Sequence, residues 1–202
     1  MTVAEVGKLV EIGKDTATAA AAIAAAIVAA LGLQTWKKQL HGSANYELAR
    51  RLLRATYKVR EAIRTVRVPF ISIGEIIEAR KAVGLEITGA GIESSGENER
   101  AAYKIRWDQL STALIDFQAE LLEAEALWGS PIRNSSASLS QCIRELNAAI
   151  AEWLHGKTHL DPTRDEHVTG IIYELGDSNP FSERLAAAIG DIESQLRPHL
   201  KP

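Results

Sequence analysis

The sequence predicts an all-α protein, in which an alanine-rich N-terminal helix precedes a helical bundle. Apolar residues recur at intervals of three and four over several long segments, which is the period of an amphipathic helix. Clusters of Gly, Pro, Ser and Asn fall between these segments rather than inside them. The chain of 202 residues contains 46% hydrophobic and 24% charged residues, a composition typical of a folded protein.

The N-terminal segment, residues 1–35, contains a candidate transmembrane helix. Residues 17–33 carry no charge, and Thr18 is their only polar side chain. In a helix this segment would extend about 26 Å, which is close to the thickness of a bilayer core. Ten of its 17 residues are alanines, so the larger apolar side chains supply only roughly −1.5 to −3 kcal/mol of insertion free energy. The alternatives are an alanine-rich helix buried in a soluble bundle and a signal peptide.

The residues that follow the apolar segment favour membrane insertion. Trp36 occupies the position of an interfacial aromatic residue, and Lys37 and Lys38 come directly after it. Residues 37–67 contain nine Lys or Arg and two Glu, a net charge of +7 in a chain whose total is −3. By the positive-inside rule, we predict a single-pass protein of the inner (cytoplasmic) membrane whose domain, residues 36–202, is cytoplasmic.

Residues 44–67 are expected to form a basic amphipathic helix, which begins after Gly42–Ser43 and ends before Pro69. Its apolar side chains share one stripe, which we predict to be buried: Leu48, Leu52, Ala55, Val59, Ile63 and Val66. The cations of this region form the predicted basic surface: Lys37, Lys38, Arg50, Arg51, Arg54, Lys58, Arg60, Arg64 and Arg67. We predict that this surface faces anionic lipid headgroups. The alternatives are pairing with acidic residues of the chain or of a protein partner, and nucleic-acid binding.

Further along the chain, the sequence predicts a short helix, a long helical hairpin and a closing helix. Residues 72–75 (Ser-Ile-Gly-Glu) form a capping-box pattern at the start of the short helix. Helices over residues 98–128 and 136–155 have apolar residues at 4-3 spacing, so we predict a coiled-coil-like antiparallel hairpin. Residues 179–180 (Asn-Pro) supply the cap and first residue of the last helix.

Two segments resemble a group of uncharacterised bacterial proteins that have one N-terminal transmembrane span and a cytoplasmic helical domain. They read WKKQLHGSANYELARRLLRATYKVREAIRTVRVPF (36–70) and FSERLAAAIGDIESQLRPHLK (181–201). The resemblance implies membrane tethering and a bacterial cytoplasmic helical domain. It implies no activity and no site residues, because no function is established for the group. The apolar segment of this chain is richer in alanine than those of the group.

One histidine–carboxylate cluster lies within residues 154–167, and we expect most of this stretch to belong to a polar loop over residues 156–170. The alternative is a divalent-metal site with the candidate ligands His155, His159 and Asp161. Metal ligands need rigid elements to hold them, whereas Gly156 and Pro162 interrupt any helix here. No HExxH motif is present.

No other motif indicates catalysis. The glycine-rich loop 84–98 lacks the spacing and the lysine of a phosphate-binding loop. Cys142 is the only cysteine, which excludes an internal disulfide bond and a CxxC zinc site. We therefore predict a membrane-tethered helical module for interaction, scaffolding or regulation, with no cofactor and no enzymatic activity, and leave a protein partner or homo-oligomer open. The alternatives are a metal-dependent hydrolase that uses the histidine–carboxylate cluster and a soluble nucleic-acid-binding bundle.

Overall fold

The computed structural model confirms the predicted all-α class over the residues that it describes: 3–82, 84, 96–156, 162–174 and 179–200. Side chains are not described for residues 3–13, 15–17, 19–20 and 162. The chain divides into two compact units, unit 1 (Met1–Asn45) and unit 2 (Tyr46–Pro202).

The α-helices are, in chain order, α1 (Val3–Val66), α2 (Ile73–Ala82), α3 (Gly96–Trp128), α4 (Ser130–Ser135), α5 (Ala137–Leu154), α6 (Pro162–Ile172) and α7 (Pro180–Leu196). A short 3-10 helix, Arg197–His199, follows α7 directly. In unit 2, α2 packs on α3, α5 packs on α6 and α7, and α4 packs on α7. Unit 2 is therefore a helical bundle, as the sequence predicts.

Helix α1 continues without a break through Gly42 and Ser43, where the sequence predicts the end of one helix and the start of another. That prediction is wrong. A glycine inside a helix costs only about 1 kcal/mol relative to alanine, and the segment contains no proline that would remove a backbone hydrogen bond. Around Gly42 the helix is open, with nothing within 4 Å of an added Cβ.

The core of unit 2 is built from one face of each long helix. The predicted stripe of α1 is confirmed, because each of its six apolar residues is at most 5% exposed. The predicted 4-3 seam of α3 has eight residues. Four of them are buried, namely Tyr103, Leu110, Phe117 and Ala124. The other four are partly buried against the core, namely Trp107, Leu114, Leu121 and Trp128. Helix α7 contributes Leu185, Ile189, Ile192 and Leu196 to the same core. The 3.6-residue period therefore identifies the buried faces correctly.

Helix α6 begins at Pro162, inside the stretch predicted to be a polar loop, so that prediction is wrong for residues 162–170. Proline is well tolerated at the first position of a helix, where its missing N–H would have no partner in any case. Val168, Ile171 and Ile172 are buried, which holds α6 against the core. Residues 157–161 lie outside the described part of the chain.

The start of α3 lies beside the end of α5, while the predicted coiled-coil-like seam between the two helices stays a prediction. The rings of Tyr103 and Trp153 lie 5.4 Å apart, and Arg100 donates a hydrogen bond to the Leu154 carbonyl at 2.9 Å. Tyr173, which follows α6, packs edge-on against Trp153 at 6.3 Å. An aromatic cluster thus joins α3, α5 and the end of α6.

Candidate functional site

Exposed apolar side chains surround α1 in unit 1. Each is 54–68% exposed: Ile23, Ile27, Val28, Leu31, Leu33, Trp36 and Leu40. At 100° per residue, the widest gap between neighbouring members of this set around the helix axis is about 80°. An amphipathic surface helix would leave a wide polar face instead. The apolar character of this part of α1 therefore extends to all sides.

Among the residues that the structure describes, no helix combines the length and the apolar character needed to cross a membrane. The predicted transmembrane helix thus gains no support from the structure. Within the predicted span, the side chains of Ala17, Ala19 and Ala20 lie outside the described set.

Part of the predicted basic surface is engaged by acidic residues of α3. Arg51 bridges two carboxylates, with its Nε 2.9 Å from Glu120 and its Nη2 2.6 Å from Glu123. The hydrogen bond to Glu120 is the main reason that the pKa of Arg51 is raised. Two helical turns further on, Lys58 lies 3.2 Å from Asp116. These contacts correspond to the internal pairing that the sequence analysis left open.

The remaining cations of this surface fall into three groups. Arg50 and Arg60 pair with neighbours on their own helix, Glu47 at 3.4 Å and Glu61 at 2.8 Å. Four are exposed and form no ion pair within the described residues: Lys37, Lys38, Arg54 and Arg64. Arg67 does not belong to the surface at all.

Arg67 is 2% exposed, so its predicted outward position is wrong. It lies directly after the last turn of α1, beside the apolar stripe, and its guanidinium reaches the C-terminal end of α6. Nε donates to the Ile171 carbonyl at 2.9 Å, and Nη1 donates to Ser182 Oγ at 2.8 Å. Nη2 has three acceptors at 3.2–3.3 Å, the carbonyls of Gly170 and Tyr173 and the side chain of Asn179. Burial lowers the pKa of Arg67, and the negative charge of Glu174 opposes this shift.

A second buried arginine, Arg106 of α3, was not identified from the sequence. It is 3% exposed and forms a bidentate pair with Glu75, whose Oε2 lies 2.9 Å from Nη2. It also donates to the carbonyls of Val68 and Phe70, at 2.6 and 2.9 Å. Ser72 Oγ accepts a hydrogen bond from the Glu75 N–H at 3.2 Å, as the capping box predicts. The Glu75 carboxylate instead accepts hydrogen bonds from Arg106. This network fixes the connection between α1 and α2.

The candidate metal ligands cannot be brought together from the described residues. His155 is exposed at the end of α5, and its Nδ1 lies 2.5 Å from the Ala151 carbonyl. His159 and Asp161 lie outside the described residues. Within the described part of the chain, no group of three or more His, Cys, Asp or Glu residues could hold a metal ion. The metal-dependent hydrolase stays a prediction.

The sequence offers two further candidates for a site, Cys142 and the glycine-rich loop 84–98. Cys142 is buried on the core side of α5, and burial raises the pKa of its thiol. Thiolate chemistry is disfavoured there, because the thiolate is the nucleophilic form. Of the glycine-rich loop, residues 85–95 lie outside the described set, and Gly96 begins α3.

Comparison with protein-family models, with curated proteins and with solved structures gave no match to this chain. The resemblance of residues 36–70 and 181–201 to bacterial membrane proteins therefore stays a prediction. Three features of the described residues are available for a functional inference. These are the exposed apolar part of α1, the partly paired basic surface, and a cavity beside Arg67.

Proposed function

We propose that this chain is a membrane-tethered helical module for interaction, scaffolding or regulation. The N-terminal part of α1 is the tether, and unit 2, with α3 and α5 as a coiled-coil-like hairpin, carries the interactions. The observation that supports the tether is the exposure of large apolar side chains on all sides of α1 between residues 23 and 40.

This pattern favours a lipid environment over a single protein partner. Exposure of these seven side chains to water is unfavourable, and an insertion free energy of roughly −1.5 to −3 kcal/mol favours a lipid environment for the segment. One partner helix covers one face, whereas the acyl chains of a bilayer surround an inserted helix. In the bacterial inner membrane, the positive-inside rule favours the orientation that leaves unit 2 on the cytoplasmic side.

The residues at the C-terminal end of this apolar part suit the membrane–water boundary. Trp36 is 58% exposed, and the exposed Lys37 and Lys38 follow it without ion pairs among the described residues. Each such cation near an anionic surface contributes about 1 kcal/mol. Because α3 carboxylates engage Arg51 and Lys58, the headgroup contact in this proposal centres on Lys37 and Lys38.

Unit 2 also presents apolar side chains that could contact a partner. Ile115 and Leu122 of α3 are 68% and 62% exposed, and they lie seven residues apart on the same side of the helix. Leu127 is 59% exposed near the end of α3. These side chains support an interaction role without identifying the partner.

Alkaline carbonate extraction of membranes from expressing cells tests the tether. The full-length wild type is expected to stay in the membrane pellet. Ile27→Asp should release it, because replacing Ile with Asp at the centre of an inserted helix costs about 3–4 kcal/mol, which exceeds the roughly −1.5 to −3 kcal/mol available to the segment. The matched control is Ile115→Asp, which changes an isoleucine of unit 2 that is also exposed, 68% against 55% for Ile27.

Two results would overturn the proposal. One is quantitative recovery of the wild type in the soluble fraction. The other is equal extraction of Ile27→Asp and Ile115→Asp, which would show that membrane association does not depend on the apolar part of α1.

A further inference from the structure

A cavity of about 260 Å³ lies in unit 2, between the last turns of α1 and the first turns of α7. Its lining combines apolar side chains with three arginines and two glutamates: Arg60, Glu61, Arg64, Arg67, Glu174, Ser182, Leu185, Ala186 and Ile189. The volume equals that of about nine water molecules in the liquid, which is the size of a small organic molecule.

The apolar side of the cavity belongs to α7. Leu185 and Ile189 lie four residues apart on one face of the helix and are 8% and 5% exposed, so they form a nearly buried floor. Ala186 is exposed beside them and leaves room because its side chain is a single methyl group. A short hydrocarbon chain would gain by covering this floor.

The other side is charged, with three arginines and the two glutamates Glu61 and Glu174, and so has a small excess of positive charge. Arg64 is exposed and forms no ion pair within the described residues, whereas Arg60, which also lines the cavity, is paired with Glu61 at 2.8 Å. Arg64 is therefore the side chain placed to receive an anionic group.

Arg67 also lines the cavity, and it is a buried cation. Within the described residues, its guanidinium donates to three carbonyls, one hydroxyl and one amide oxygen, and to no carboxylate. Glu174, which also lines the cavity, accepts a hydrogen bond from Ser182 Oγ at 3.4 Å, and its negative charge acts on Arg67 without a direct bond. A buried cation without a directly bonded counter-ion is unfavourable, and an anion bound beside Arg64 would add a second negative charge near it.

We propose that this cavity binds a small organic anion, a carboxylate or phosphate that carries a short apolar chain. The acidic group faces Arg64 and the positive potential of Arg67, and the chain lies on Leu185 and Ile189. This inference does not rest on the membrane tether, because every residue that carries it belongs to unit 2.

Isothermal titration of the purified full-length chain tests the site, with hexanoate, hexyl phosphate and hexan-1-ol as probes. Saturable binding of hexanoate or hexyl phosphate is expected, and the stronger of the two identifies the acidic group. Hexan-1-ol, which keeps the chain but lacks the charge, should bind at least about tenfold more weakly, since a hydrogen bond to a charged group is worth about 1.5–3 kcal/mol.

Three variants locate the binding. Arg64→Glu reverses the charge at the rim, and Ala186→Trp fills the cavity without changing its charge; each should weaken binding at least about tenfold. Arg54→Glu makes the same charge change at another exposed, unpaired arginine of α1 outside this cavity and should leave binding unchanged.

Absence of saturable binding of both anions to the wild type would overturn the proposal. So would an equal loss in Arg54→Glu, which would indicate a general charge effect, or undiminished binding in Arg64→Glu. Circular dichroism of each variant shows whether it is folded. If Ala186→Trp does not fold, Arg64→Glu decides the outcome, because it changes an exposed residue.

Discussion

Replacement of Arg67 by methionine is expected to destabilise unit 2, although methionine has a long apolar side chain and no charge to desolvate. The guanidinium holds three segments together: the end of α1, the C-terminal carbonyls of α6, and Ser182 and Asn179 at the start of α7. Methionine can fill the space but cannot donate a hydrogen bond to any of them.

The expected loss follows from the individual contacts. The two short bonds, to the Ile171 carbonyl and to Ser182 Oγ, have no other donor among the side chains described, and each is worth about 1.5 kcal/mol or more. The longer contacts are partly backed up, because Asn179 Nδ2 also donates to the Gly170 carbonyl at 2.8 Å. Removing the desolvation penalty of the guanidinium offsets some of the loss. We expect a net decrease of about 2–3 kcal/mol in the free energy of unfolding.

Urea unfolding of the full-length chain, followed by circular dichroism at 222 nm and by tryptophan fluorescence, measures this decrease. In a chain of this size it corresponds to a fall of about 5–10 °C in Tm. Arg54→Met is the matched control and should change stability by less than about 0.5 kcal/mol, because Arg54 is exposed and unpaired among the described residues. Equal stability of the two variants would refute the structural role assigned to Arg67.

Three other predictions concern buried groups. Arg106→Met should lower the free energy of unfolding by about 2–4 kcal/mol, measured in urea, since it leaves the part-buried Glu75 carboxylate unpaired; a change as small as that of an exposed arginine would contradict this. Burial raises the pKa of Tyr103, so the folded chain keeps a proton that the unfolded chain loses; this stabilisation is complete below pH 10 and is lost as pH rises further. Tyr103→Phe should therefore flatten the decline in urea midpoint above about pH 10, and an unchanged decline would argue against it. The buried Cys142 thiol should react with iodoacetamide roughly 100-fold more slowly in native than in urea-unfolded chain, and equal rates would show that it is accessible.

The sequence predicts the buried faces of the helices well, because helical periodicity and burial have the same cause. The stripe of α1 and the cap of α7 are both confirmed, and Asn179 Oδ1 accepts the Ser182 N–H at 3.0 Å as a cap should. Two helix boundaries are predicted incorrectly, and they involve Gly42 and Pro162. Both residues are treated as helix breakers in a sequence pattern, but a glycine surrounded by good helix formers and a proline at the first helical position are compatible with a helix.

The two buried arginines could have been recognised only in part. Arg106 lies three residues after Tyr103 and four before Leu110, so it occupies the apolar face of α3, and that position is the available signal. Arg67 gives a weaker signal, since it lies at the margin of the α1 stripe. Its acceptors are backbone carbonyls more than 100 residues away in the chain, and no local pattern specifies them.

The basic surface shows how tertiary contacts change the meaning of a charge count. Nine cations near an anionic bilayer would contribute about 9 kcal/mol if all of them faced it. Four are ion-paired and Arg67 is buried, which leaves the exposed Lys37, Lys38, Arg54 and Arg64. Only Lys37 and Lys38 belong to the proposed headgroup contact, so the contribution falls to about 2 kcal/mol. Electrostatic attraction of that size, screened by salt, can orient the chain at a surface but does not hold it there. The apolar part of α1 adds roughly −1.5 to −3 kcal/mol that salt does not screen, and Ile27→Asp makes its insertion unfavourable, so we expect this substitution to reduce membrane association more than added salt does.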